Sequence, residues 1–228
     1  MRSILCLFYC ACRADTSLAW QWPAKTIRRW RAAFRCTLLP LLILLPVAPL
    51  AHAETAHLLV LGDSLSAGYG IDPAEGWVTL LQERVDETYP DTYTVINASI
   101  SGDTTSGGKA RLTKLLQTYA PEIVILELGG NDGLRGQPLK LMQRNLETLV
   151  ETAVDSGARV LLLGMQIPPN YGERYSGAFA AIYAEIASDY NIPLVPFFLD
   201  GVALKSEFMQ GDGIHPNADA QPTLLNNI

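Results

Sequence analysis

From His57 onward, short apolar runs alternate with longer segments whose apolar residues recur every three to four positions, and this alternation restricts the fold more than any other feature. The runs cover residues 57–61, 93–96, 123–126, 159–163 and 193–197. Between them, Trp77, Leu80, Leu81 and Val85 fall at helical spacing behind Asp72-Pro73, a start signal. Leu112, Leu115, Leu116 and Tyr119 make a second helical set, and Leu139, Met142, Leu146, Leu149 and Val150 a third behind Gln137-Pro138. Phe179, Ile182, Tyr183, Ile186 and Tyr190 make the fourth. A helix between successive strands makes those strands parallel, and a parallel sheet is covered on both faces. The expected fold is therefore α/β, with five parallel strands in one domain that has no internal repeat and no linker. In such sheets, sites gather outside the carboxyl ends of the strands, so chemistry is expected in the loops that follow them.

The chain before this region is of another kind. Residues 1–53 carry seven of the 17 basic residues and one of the 23 acidic ones, so a leader of +6 precedes a body of −12. Residues 37–50 read TLLPLLILLPVAPL, behind Arg28, Arg29, Arg31 and Arg35 and ahead of Ala51-His52-Ala53, a small-x-small triplet. That is the order of a secretory signal cleaved after Ala53. The rival is a membrane anchor, but a span needs about 20 apolar residues. This run is shorter and is interrupted by Pro40, Pro46 and Pro49. The expectations are a removable leader over 1–53, a domain over 54–228, a periplasmic or secreted location, and no stable membrane anchor. Cys6, Cys10, Cys12 and Cys36 all lie in the leader, so the body has neither disulfides nor a cysteine nucleophile. Its acidity argues against a nucleic-acid partner, which is held mainly by Lys and Arg.

Directly after the first run stands Gly62-Asp63-Ser64-Leu65-Ser66-Ala67-Gly68. A serine there faces the expected crevice, although Asp63 or Ser64 as a mere helix cap fits the same motif equally well. A serine nucleophile needs a base, and histidine titrates closest to neutral pH. His57 opens the first run, at the wrong end of the sheet, and reads as structural or solvated. His215 lies in Gly211-Asp212-Gly213-Ile214-His215-Pro216, where Asp212 can turn back to Nδ1 and leave Nε2 for Ser64. The loops after the second and third runs, Asn97-Ala-Ser-Ile-Ser-Gly102-Asp103-Thr104 and Glu127-Leu-Gly-Gly-Asn131-Asp132-Gly133, end at the same crevice. The Gly102 N–H, the Asn131 side-chain amide and the Ser64 N–H are candidate donors to an oxyanion. Ordinary βα turns also favour Gly, Asn and Asp. The stretch 103–110 resembles a phosphate-binding loop but has Asp103 where the first glycine belongs and Ala110 where a hydroxyl should follow Lys109. The two histidines of the body are far apart in sequence and no cysteine accompanies them, so no metal site is expected.

Taken together, GDSLSAGYG, NASISGDT, GGNDGLRG and DGIHPN resemble the blocks of the SGNH (GDSL) hydrolase family, in particular its bacterial periplasmic branch of thioesterases, lysophospholipases and arylesterases. The resemblance runs from His57 to Pro222 and includes Pro168-Pro169-Asn170-Tyr171-Gly172 and Pro196-Phe197-Phe198. It implies a flavodoxin-like three-layer α/β/α sandwich. It also implies Ser64 as nucleophile, His215 as base, Asp212 as its orienter, and Ser64, Gly102 and Asn131 as the oxyanion hole. The substrate would be a small-molecule acyl ester or thioester, with no cofactor, and residues 164–175 would border the acyl chain. Pro168, Pro169 and Tyr171 in that loop favour an apolar groove over the small polar pocket of a carbohydrate O-deacetylase. A non-catalytic lipid- or carbohydrate-binding module on the same fold is the other rival. Residues 218–228 leave room only for a short closing helix, where the family pattern has a full one.

Overall fold

A computed structural model describes residues 55–228 of the chain. The leader assigned to residues 1–53, its cleavage site and the four cysteines lie outside the described residues. The sheet has five parallel strands in the order β2-β1-β3-β4-β5, namely β1 Ala56–Gly62, β2 Tyr93–Asn97, β3 Ile123–Glu127, β4 Arg159–Leu163 and β5 Leu194–Val195. Successive residues of a strand point to opposite faces. Leu58 to Leu61 of β1 and Val124 to Glu127 of β3 are all buried, so both faces of the sheet centre are covered.

The cover is helical, as the spacing predicts. Helix α2, Trp77–Thr88, packs with the short α7, Gln221–Asn226, while α3, Thr105–Tyr119, packs against α5, Leu139–Asp155, and α5 against α6, Glu173–Asp189. The two remaining α-helices among the described residues are single turns, α1 Ser64–Ala67 and α4 Gly130–Leu134. Neither is long enough to show an apolar period, and both follow strands directly. Their brevity is what places polar groups at the strand ends.

Several boundaries differ from the sequence reading for identifiable reasons. The fifth run shrinks to two residues because Pro193 and Pro196, on either side, have no N–H to give the ladder. Helix α3 starts seven residues before its first periodic leucine: Thr104 caps it, its hydroxyl accepting from the Gly107 N–H, and Gly107 and Gly108 carry no apolar signal. Helix α6 likewise begins at Glu173, on a solvent-facing turn. The closing helix is short, as expected, yet it buries Leu224 and Leu225, and the Gln221 side chain accepts from the Trp77 N–H at 3.0 Å. Gln221 thus caps α2, whose own N-cap, Gly76, has no side chain to do so. No helix among the described residues is long and apolar enough to cross a membrane.

Candidate active site

At the end of β1 the chain turns into α1 with Ser64 as its first residue. Asp63 is the N-cap, its Oδ1 accepting from the Leu65 N–H at 3.1 Å, and Gly68 ends the turn at φ +71. The two readings of this motif thus coexist, since Asp63 caps while Ser64 faces a pocket. A Cβ on Gly62 would lie 2.6 Å from both Glu127 Oε2 and Ser66 Oγ, so only glycine fits beneath the turn.

His215 reaches Ser64 from a loop 151 positions away: its Nε2 is 2.9 Å from Ser64 Oγ and its Nδ1 is 2.6 Å from Asp212 Oδ2. With the proton on Nδ1, the imidazole donates to Asp212 and Nε2 accepts the serine hydroxyl. The other carboxylate oxygen of Asp212 accepts from the Ile214 and His215 N–H groups at 2.9 and 3.0 Å. The His215 backbone N–H, its imidazole and the Ile214 N–H together hold the Asp212 carboxyl well below the usual carboxylate range. His57, at the opposite end of β1, bonds the Tyr119 carbonyl through Nδ1 and meets the Tyr119 ring edge-on, which fits its structural reading.

Asn131 sits in α4, and its Nδ2 donates to Asp63 Oδ2 at 3.0 Å, leaving a second N–H. Gly129, before α4, adopts φ +116, and a Cβ there would come within 2.2 Å of the Tyr183 hydroxyl. Gly102 has φ +79, its carbonyl accepts from Arg135 Nη2 at 3.0 Å, and its N–H has no partner among the described residues. Asp132 ties α4 to α3 by accepting from the Thr105 N–H at 2.9 Å and its hydroxyl at 2.7 Å. In the stretch that resembles a phosphate loop, Asp103 pairs with Arg111 at 2.8 Å and Thr104 begins α3. Arg111 also donates to the carbonyls of Ala98 and Gly62, joining the loop after β2 to the end of β1.

Beneath these groups lies a contact that the sequence reading missed. Glu127, fully buried at the end of β3, accepts from Ser66 Oγ at 2.6 Å and from the Asp63 N–H at 3.2 Å through Oε2. Burial, and then the neighbouring Asp63, push the Glu127 carboxyl well above its ordinary value, while burial raises Asp63 to about 6. An acid closing an otherwise apolar strand, Ile123-Val-Ile-Leu-Glu127, was the available signal. Beside Ser64 and His215 opens a cavity of about 370 Å³, lined by Leu134, Met165, Ile167, Pro168, Leu199 and Met209 among others. From the loop after β4, residues 165–168 supply part of its wall. Tyr171 instead donates its hydroxyl to the Leu134 carbonyl, and the Pro169 side chain lies outside the described ones. Among the described residues, no group of three or more His, Cys, Asp or Glu side chains is placed to hold a metal ion.

Residues 60–221 match the GDSL-like Lipase/Acylhydrolase family. The chain is 53% identical over 178 residues to the esterase TesA of Pseudomonas aeruginosa, covering 78% of this chain and 88% of that one. It is 45% identical over 198 residues to thioesterase 1/protease 1/lysophospholipase L1 of Escherichia coli, covering 87% and 89%. A crystal structure of the psychrotrophic esterase EstA from Pseudoalteromonas sp., inhibited by monoethylphosphonate, superposes with a TM-score of 0.72 at 47% identity, covering 75% of this chain and 93% of that one.

Proposed function

Because the chain belongs to the GDSL-like lipase/acylhydrolase family, we propose that it is a serine hydrolase that cleaves acyl esters and thioesters through an acyl-enzyme. The observation that carries this reading is the unbroken line Asp212–His215–Ser64, with contacts of 2.6 and 2.9 Å, at the mouth of an apolar pocket. In it, Ser64 attacks the substrate carbonyl as His215 Nε2 takes its proton, and Asp212 stabilises the imidazolium that forms. The oxyanion is met by the N–H groups of Ser64 and Gly102 and by the Asn131 amide, which Asp63 holds by its other hydrogen. His215 then protonates the leaving group; a water attacks the acyl-enzyme carbonyl as His215 takes its proton, and His215 returns that proton to Ser64 Oγ as the acyl–Oγ bond breaks and the acid is released. Every proton in this cycle passes through His215, so the cycle needs no metal or cofactor.

The relatives' names, esterase and thioesterase/lysophospholipase, and the apolar pocket wall support acyl substrates over acetylated sugars. The +6 leader with its Ala51-His52-Ala53 triplet supports export to the periplasm with cleavage after Ala53. The test is a chain-length series of p-nitrophenyl esters and acyl thioesters, run beside an acetylated sugar, on the wild type and two variants. Ser64→Ala and His215→Ala should each lower kcat by about 10⁴-fold or more, and the double variant should lose little beyond that. A Ser64→Ala enzyme with near-normal turnover would refute the assignment, and a preference for the acetylated sugar would make it a deacetylase.

A further inference from the structure

The loop that carries Asp212 and His215 buries none of its own residues between Met209 and Pro216, and it contains Gly211 and Gly213. Between those flanking residues it is held mainly by hydrogen bonds, most of which close the loop on itself. Met209 and Pro216 form an antiparallel bridge, the Gln210 N–H donates to the His215 carbonyl at 2.7 Å, and the Gly213 N–H donates to the Gln210 carbonyl at 2.9 Å.

One side chain continues from the loop to the nucleophile's own segment. Gln210 Nε2 donates to the Pro216 carbonyl at 2.9 Å and, with its other hydrogen, to the Tyr69 carbonyl at 2.7 Å. The Tyr69 N–H in turn donates to the Ser64 carbonyl at 3.1 Å, so two hydrogen bonds connect the Gln210 amide to the nucleophile's backbone. The half-exposed Tyr69 ring lies against the imidazole of His215, centroids 4.6 Å apart. The neighbouring residue is shaped for this contact, since Gly70 has φ +76 and a Cβ on it would fall 2.1 Å from Gln210 Oε1.

We propose that Gln210 is a positioning residue, a clasp that holds the His215 loop against the Ser64 segment and so sets the Ser64–His215 geometry. The proposal rests on the roles given above to Ser64 and His215. Proton transfer depends steeply on that geometry, and a misplacement of about 1 Å can cost on the order of 100-fold in rate.

The experiment is the steady-state kinetics of Gln210→Leu, Gly70→Ala and the double variant on a short p-nitrophenyl ester, with a thermal melt to show that each is folded at the assay temperature. Gln210→Leu should lower kcat by about 10- to 100-fold with KM within about twofold of the wild type. Gly70→Ala, which displaces the clasp, should lower kcat similarly, and the double variant should be no slower than the slower single variant. A purely structural Gln210 would lower the melting temperature and leave kcat of the folded enzyme unchanged. A kcat within twofold of wild type, or losses that multiply in the double variant, would overturn the proposal. Failure of the underlying assignment is distinguishable, because the wild type itself would then show no hydrolysis that depends on Ser64.

Discussion

Asp63 illustrates what single residues do here that their type alone does not announce. It caps α1, orients Asn131, and lies 2% exposed beside the buried Glu127. Its pKa of about 6 against an ordinary 3.8 means that the folded chain keeps this proton to higher pH than the unfolded chain does. Stability therefore falls, through this group, as pH rises from about 4 to about 6. Asp212 has the opposite sign, since its lowered pKa contributes stability above the ordinary carboxylate range that is lost as the carboxyl protonates. Asp63→Asn should remove the first effect, together with the part of the Glu127 shift that Asp63 causes, and leave that of Asp212 in place. Urea denaturation of both proteins should show the variant gaining on the wild type by on the order of 2 kcal/mol between pH 4 and pH 7, and a constant difference would contradict the raised pKa. The contacts that join Asp212, His215 and Ser64 were legible as candidates because polar and small groups in strand-end loops stand out after apolar runs, as do Asn131 and Gly102. Glu127 and Gln210 were not, because they act through partners such as Asp63 and Tyr69, which are 64 and 141 positions away.

Among elements, the long helices and four of the strands followed from periodicity, whereas the pieces that aim the chemistry did not. A one-turn helix such as α1 or α4 has no period to read, and β5 is cut short by its flanking prolines. The edge of the sheet is correspondingly sensitive. Gly164, directly after β4, donates its N–H to the Val195 carbonyl at 2.8 Å, and a Cβ there would lie 2.4 Å from the Pro196 carbonyl oxygen and 2.8 Å from that of Val195. These are backbone atoms and cannot rotate away. Gly164→Ala should cost about 1–3 kcal/mol in a denaturant titration, and it should disturb the adjoining pocket wall at Met165 and Ile167. Unchanged stability would mean that the β5 edge yields freely.

For the whole molecule, the net charge of −6 describes neither part of the chain, because residues 1–53 carry +6 and residues 54–228 carry −12. If export removes the leader, the mature protein starts at Glu54 and has no thiol, since all four cysteines precede that point. N-terminal sequencing and thiol titration of protein from the periplasm should find Glu54 and no reactive thiol; retained cysteines would contradict cleavage at Ala53. In the domain, the parallel sheet brings the ends of β1, β2 and β3 to one edge, and the C-terminal loop returns there with His215. Intact-mass analysis after treatment with a fluorophosphonate tests whether that convergence makes Ser64 a nucleophile. One equivalent should attach to the wild type at Ser64, and none to Ser64→Ala at matched concentration and time. An unmodified wild type, or equal labelling of the variant, would mean that Ser64 is not the nucleophile.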